Sequence, residues 1–183
     1  MAQRHIHYEA AFEDFVRSRG WPYVAVDEQK KAIFAGSRVK SFDFLVYRPG
    51  QTAWLVDVKG RQFPYHTKSG KRYWENWVTR EDLEGLNAWD RVFGDDFQAV
   101  FVFVYHVKLT PQTVWKGDLH HFRNQAYGMM WIPARVYAAQ SKTRSPSWNT
   151  IEMAAKPFRE LVRPLFESDG GIRAHFTDRL GCL

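Results

Sequence analysis

Residues 97–107, FQAVFVFVYHV, form a run long enough for a strand and apolar almost throughout. A strand with no polar face has to be covered on both sides, which places it at or near the centre of a sheet with packing layers above and below. The rest of the chain must therefore supply flanking helices and neighbouring strands. At 183 residues, 45% of them apolar, there is enough chain for one domain with a sizeable core.

Helical periodicity appears on both sides of this run. In HYEAAFEDFVRSRG, Tyr8, Phe12, Phe15 and Val16 recur at i, i+4, i+7 and i+8, and Gly20 supplies the stop. Glu9 borders that apolar stripe, whereas Asp14 and Arg17 fall on the outer side. A carboxylate at such a margin either finds a partner or reaches back into water, and both readings are open. In TREDLEGLNAWDRVFG, Thr79 is the N-cap, Asp82 completes a capping box, Leu83, Leu86, Trp89 and Phe93 form the stripe, and Gly94 ends the helix. A last helix is expected in AKPFRELVRPLFE, with Phe158, Leu161, Val162 and Leu165 inward.

Strands are expected at Tyr23–Val26 and in FDFLVYRPGQTAWLVDVKG, where Pro49-Gly50 marks a turn between two of them. The stretch QKKAIFAGSRVKS before this hairpin reads as a loop with some local structure. Side chains alternate along a strand, so Asp57 and Lys59 share one face while Trp54, Val56 and Val58 share the other. If Asp43 pairs directly with Asp57, both carboxylates project together, Arg48 faces Thr52, and Pro49, Gly50 and Gln51 remain as a three-residue loop. An even-length loop would separate the two acids unless a bulge intervened. Taken alone, Asp57 and Lys59 can equally be a weak ion pair on a solvated face, worth at most about 1 kcal/mol.

Charge and composition narrow the function classes. A net charge of +6 suits a polyanionic partner, nucleic acid first, although basic surfaces also serve solubility. The segment RQFPYHTKSGKRYWENW interleaves Arg61, Lys68, Lys71 and Arg72 with Phe63, Tyr65, Tyr73, Trp74 and Trp77. That mixture fits phosphates and bases, with an ordinary solvated hairpin loop as the alternative. The single cysteine, Cys182, points away from disulfides, zinc clusters and thiol catalysis. His120 and His121 are adjacent, cannot share one strand face and lack partners at ligand spacing, which weighs against a metal role. The start MAQRHIHYEAAF has no signal-like apolar run and no stretch is long enough for a membrane span, so a soluble, cytoplasmic protein is expected. In the last third, YGMMWIPARVYAA reads as a strand interrupted by Pro133, and QSKTRSPSWN as a loop.

The resulting order is a helix with Glu9, a strand, a strand with Asp43, a strand with Asp57, Val58 and Lys59, a helix, and the apolar strand. With Glu9 in HYEAAF, Asp43 in SFDFLV, and Asp57 and Lys59 in WLVDVKG, it resembles the PD-(D/E)xK phosphodiesterase (restriction-endonuclease-like) superfamily of nucleases. Over residues 5–107 it is most similar to the archaeal Holliday-junction resolvases. Phe42 stands where the superfamily name has Pro, Asp57 where Glu is commoner, and residues 61–78 and the C-terminal third match nothing in it.

The resemblance implies an α/β fold: a three-layer core whose central mixed β-sheet is flanked by helices, with a C-terminal α/β extension over 108–183 of the same single domain. It implies a hydrolase that cuts phosphodiester bonds with metal-activated water. Asp43, Asp57, the Val58 backbone carbonyl and Glu9 would hold Mg²⁺, with Mn²⁺ able to substitute, and Lys59 would hold the attacking water. Glu9, Asp43, Asp57 and Lys59 are then the catalytic set, and Arg61, Lys68, Lys71 and Arg72 contact nucleic acid, DNA in preference to RNA, with no membrane partner and a homodimer as an open arrangement. The alternative is a non-catalytic nucleic-acid-binding module that keeps the nuclease fold.

Overall fold

A computed structural model describes residues 3–26, 32–34, 37–66, 72–110, 113, 115 and 117–165. Along the chain the elements are α1 (Gln3–Ser18), β1 (Tyr23–Ala25), β2 (Ala32–Phe34), β3 (Ser37–Val39), β4 (Phe44–Val46), β5 (Ala53–Phe63), β6 (Tyr65–His66), β7 (Arg72–Tyr73), β8 (Val78–Thr79) and α2 (Arg80–Phe93). They continue with β9 (Phe97–Val107), β10 (His120–Phe122), β11 (Gln125–Pro133), α3 (Ala134–Gln140), β12 (Ser141–Ser145), β13 (Thr150–Met153), α4 (Ala155–Leu161) and β14 (Arg163–Pro164).

The apolar run is β9, and it sits inside the main sheet, whose order is β1-β4-β5-β9-β11-β10 with β14 on β11. β5 and β9 run parallel from Ala53↔Phe97 to Phe63↔Val107, while the other ladders of this sheet are antiparallel, so the sheet is mixed. One face packs on α1: Phe12, Phe15 and Val16 meet Trp54, Val56 and Val58 of β5 and Val100, Val102 and Val104 of β9. The opposite face carries Leu55, Phe101, Phe103 and Tyr105 against Leu86, Tyr137 and Phe158 from α2, α3 and α4. This is the expected three-layer arrangement of a mixed sheet flanked by helices.

Local chemistry sets the element ends. Gly20 takes φ +66° and donates to the Arg17 carbonyl at 3.0 Å, while Trp21 donates back to Val16 at 3.2 Å, closing α1. α2 has the full capping box, with Thr79 Oγ1 accepting from the Asp82 amide at 3.1 Å and Asp82 Oδ2 from the Thr79 amide at 2.8 Å. The buried Asn76 side chain acts as a strand residue, accepting from the Met153 amide at 2.9 Å and donating to its carbonyl at 3.1 Å. Tyr137 Oη donates to the Asn76 carbonyl at 2.7 Å, which ties α3 to the same segment.

The C-terminal third departs from expectation. Pro133 ends β11 and starts the helix α3, so residues 134–140 are helical instead of continuing the strand. Residues 141–145 are not loop but the strand β12, which pairs with β13, itself paired with β8. Lys142, Thr143 and Arg144 are all exposed, so β12 carries no apolar alternation from which a strand could be read. α4 stops at Leu161 because a residue preceding proline, here Arg163, is disfavoured in the helical region. Leu165 is thereby carried to the α1 face of the sheet. Among the described residues no helix is long and apolar enough to cross a membrane.

The placement of α1 depends on one close approach. A Cβ on Gly60 would lie 2.1 Å from Tyr8 Cδ2, so the Tyr8 ring occupies the space a side chain would need on β5. Gly60→Ala should lower stability by about 1–3 kcal/mol, as overpacking does, and the loss should shrink in a Tyr8→Ala background. Denaturant melts of the four proteins in this cycle test it, and equal losses in both backgrounds would refute the packing assignment.

Candidate active site

The hairpin β4–β5 pairs as the sequence requires: Phe44 faces Val56, Leu45 faces Leu55 and Val46 faces Trp54. The ladder holds only these three pairs: the Asp43 amide donates to the Val56 carbonyl at 2.8 Å, so the direct pairing of Asp43 with Asp57 expected from the sequence is not part of it, and an Arg48 Nη2 donates to the Thr52 carbonyl at 3.2 Å. Asp43 accepts from the Val58 amide through Oδ2 at 2.6 Å, so its side chain continues the ladder where the β4 backbone leaves it. Asp43 and Asp57 are 7% and 3% exposed, a degree of burial that ionised carboxylates tolerate only with hydrogen bonds or counter-charges.

Lys59 supplies the counter-charge. Its Nζ lies 2.5 Å from Asp57 Oδ1 and 3.1 Å from Asp82 Oδ2, so one ammonium bridges β5 and the first turn of α2. Asp82 is also paired with Lys40. Sequence reasoning gave Asp82 only its capping role, although it lies four residues before Leu86 and seven before Trp89, on the stripe that faces the sheet. Lys40 carried no readable signal. Its approach depends on Gly85, where a Cβ would lie 2.7 Å from the Lys40 carbonyl, and on the Trp89 indole donating to that carbonyl at 3.0 Å.

The electrostatics separate the two acids. Burial pushes the Asp57 carboxyl up to about 6, Lys59 only partly offsetting it and Asp82 adding repulsion. Burial also works against the Asp82 anion, but Lys59 and Lys40 outweigh it and hold this carboxyl below its ordinary value. Burial opposes the charge on Lys59 as well, yet Asp57 and Asp82 prevail and keep the ammonium charged above its ordinary range.

Glu9 lies on the α1 side and lines an open cleft of about 220 Å³ with Ala10, Glu13, Ala25, Val26, Asp43 and Phe44. Asp43 is thus the member shared between Glu9 in the cleft and Asp57 across the hairpin. Among the described residues no three His, Cys, Asp or Glu side chains come close enough to hold a metal ion. Arg61, expected at a nucleic-acid surface, is instead 7% exposed. Its guanidinium donates to the Gly60 carbonyl at 2.7 Å and to the Trp77 carbonyl, and stacks 4.1 Å from the Trp77 ring. Position 61 keeps the parity of Asp57 and Lys59, so alternation turns it into the core. Lys68, Lys71 and the side chain of Arg72 lie outside the described residues, as does Cys182. His120 Nε2 pairs with Asp14 Oδ2 at 2.8 Å, a contact between α1 and β10.

No protein-family model and no curated protein matches the chain. Among solved structures it is similar to Hjc, a Holliday junction resolvase of the archaeal hyperthermophile Archaeoglobus fulgidus, at 12% identity and a TM-score of 0.48. The match covers 85% of this chain and 93% of that one.

A pH test follows from the two shifted carboxyls. The Asp57 contribution is fully present below its ordinary value of 3.8 and lost as pH rises through about 6. That of Asp82 is present above 3.8 and lost as pH falls below it. In metal-free protein at pH 7, Asp57→Asn should be as stable as wild type or more so, and the decline in Tm between about pH 4 and 6 should flatten. Asp82→Asn should cost about 3–5 kcal/mol, as loss of one partner from a buried charge network does. Thermal melts across this range decide it, and a destabilised Asp57→Asn with unchanged pH dependence would contradict the assignment.

Proposed function

We propose that this protein is a divalent-metal-dependent nuclease that hydrolyses phosphodiester bonds in DNA. The observation that carries the reading is the Asp43 carboxylate held on the Val58 amide, between Asp57 and Lys59 on the neighbouring strand, with Glu9 lining a cleft with Asp43. The order of these residues along the chain, which resembles the PD-(D/E)xK superfamily, supports it. The donor set fits a hard cation: carboxylate oxygens and a backbone carbonyl, with no sulfur and no imidazole. Burial that leaves the Asp57 anion undercompensated is the condition a bound cation would relieve.

Asp43, Asp57 and the Val58 carbonyl would hold Mg²⁺, or Mn²⁺ in its place, with Glu9 reaching it from the cleft directly or through water. Bound there, the ion would lower the pKa of a water and offset charge on the phosphoryl oxygens. Lys59 has two tasks in this reading. It neutralises Asp57 and Asp82 in the metal-free protein, and with substrate present its ammonium orients the attacking water and stabilises developing negative charge. Asp82 is a positioning residue: it keeps Lys59 charged and gives it a second anchor when Asp57 turns to a cation. The basic surface would supply contacts to the phosphate backbone.

Purified protein incubated with supercoiled plasmid should nick or linearise it with Mg²⁺ or Mn²⁺ and do so poorly with Ca²⁺, whose longer and looser coordination positions water less strictly. Lys59→Ala should lower the rate about 10²–10³-fold. Efficient cutting in EDTA, or by Lys59→Ala at the wild-type rate, would defeat this mechanism. Plasmid retarded in a gel but never cut, whichever ion is present, would instead favour the non-catalytic binding module.

A further inference from the structure

The C-terminal third contains a surface that the nuclease chemistry does not use. Trp148 is 77% exposed, more than any other large apolar side chain among the described residues. It sits at the tip of the β12–β13 hairpin, in a turn closed by the Asn149 amide donating to the Pro146 carbonyl at 3.2 Å. Asn149 takes φ +48°, a left-handed conformation that asparagine tolerates better than most residues. The indole is therefore held out by an ordered turn, at the loss of the apolar burial that a tryptophan side chain normally supplies.

That tip is fastened to the candidate site. β13 pairs with β8 through Thr150↔Thr79 and Ile151↔Val78, and the Arg80 amide donates to the Asn149 carbonyl at 2.9 Å. Thr79 is the residue whose amide is held by Asp82, and Asp82 holds Lys59. A short chain of hydrogen bonds thus fixes the hairpin to the end of α2 that contributes to the charge network.

The surroundings are cationic. Lys142 is exposed on β12, Arg144 pairs through Nε with Glu152 Oε2 at 3.3 Å and keeps the rest of its guanidinium partly exposed, and an Arg80 Nη2 donates to Thr143 Oγ1 at 2.5 Å on the same strand. Residues 134–165 carry six lysines and arginines against two glutamates, a large part of the positive charge of the whole chain. An exposed indole at the tip of a hairpin whose strand carries Lys142, Arg144 and the docked Arg80 matches one chemistry: a base stacked on the ring with its phosphates along the basic strand. Bases inside a duplex have no free face, so the matching partner is an unpaired stretch.

We propose that the β12–β13 hairpin is a single-stranded DNA contact arm, in which Trp148 stacks on an unpaired base and Lys142, Arg144 and Arg80 meet the adjacent phosphates. This rests on the nuclease reading for its biological sense, but it is tested separately from cleavage. Fluorescence anisotropy in EDTA, with a labelled oligo-dT and a duplex of equal length, measures binding without turnover. Trp148→Ala should weaken oligo-dT binding about tenfold and duplex binding by less than about twofold, while Trp148→Phe, which keeps a stacking face, should recover most of the loss. Lys142→Gln with Arg144→Gln should reduce the salt slope for the single strand by about 0.7 per lost contact.

A wild-type protein that does not bind oligo-dT, or a Trp148→Ala protein that binds it equally well, would overturn the proposal. So would a Trp148→Ala effect confined to sedimentation, which would assign the indole to self-association. Plasmid cleavage with oligo-dT binding insensitive to Trp148 removes the arm and leaves the nuclease. Trp148-dependent binding without cleavage under any divalent ion leaves the arm and removes the nuclease.

Discussion

The parallel ladder between β5 and β9, from Ala53↔Phe97 to Phe63↔Val107, decides where everything else can go. β9 is apolar on both faces, so it has to lie between two packing layers, and β5 beside it inherits both of them. Once Trp54, Val56 and Val58 are committed to the α1 layer, alternation sends Leu55, Asp57, Lys59 and Arg61 toward α2. One acid and two bases are then near or inside the core as a consequence of the side on which their neighbours must be buried.

Burying charge in this way is stable only if each ion finds a partner, because an isolated ion would cost several kcal/mol. The chain meets that demand with groups from four elements or connections: Asp57 and Lys59 on β5, Asp82 on α2, Lys40 before β4 and Asp43 at its start. Asp82 is central to this, since the same carboxylate caps its helix, anchors Lys59 and accepts Lys40. The balance is uneven, with Asp82 well compensated and Asp57 less so. Asp57 is therefore an undercompensated acid inside a strand, next to Asp43, which lines the open cleft.

The C-terminal third is integrated with this region instead of being a separate appendage. β13 extends from β8, Asn76 and Tyr137 bind its backbone, and Ile151 and Met153 join the core under α2. The hairpin therefore moves with the segment that enters α2. Its exposed tip and basic edge face solvent because the other side of the same small sheet is already consumed by the core.

Much of the site was legible in the sequence because it depends on short periodicities. Alternation placed Asp57 with Lys59, the Pro49-Gly50 turn joined β4 to β5, the capping box located α2, and the all-apolar run located the central strand. Arg61 lies in the core because it keeps the parity of Asp57 and Lys59, and its charge does not override that alternation. The strand β12 is not legible in the sequence, since every residue of its middle is exposed and pairing to β13 leaves no hydrophobic pattern in the strand itself. By itself the sequence determined which residues share a face, since local backbone geometry sets that within a few residues. Only the tertiary structure decided which distant groups meet, Lys40 and Asp82 on Lys59 and Glu9 beside Asp43, because those contacts depend on how layers dock through close approaches such as Gly60 on Tyr8 and Gly85 on Lys40.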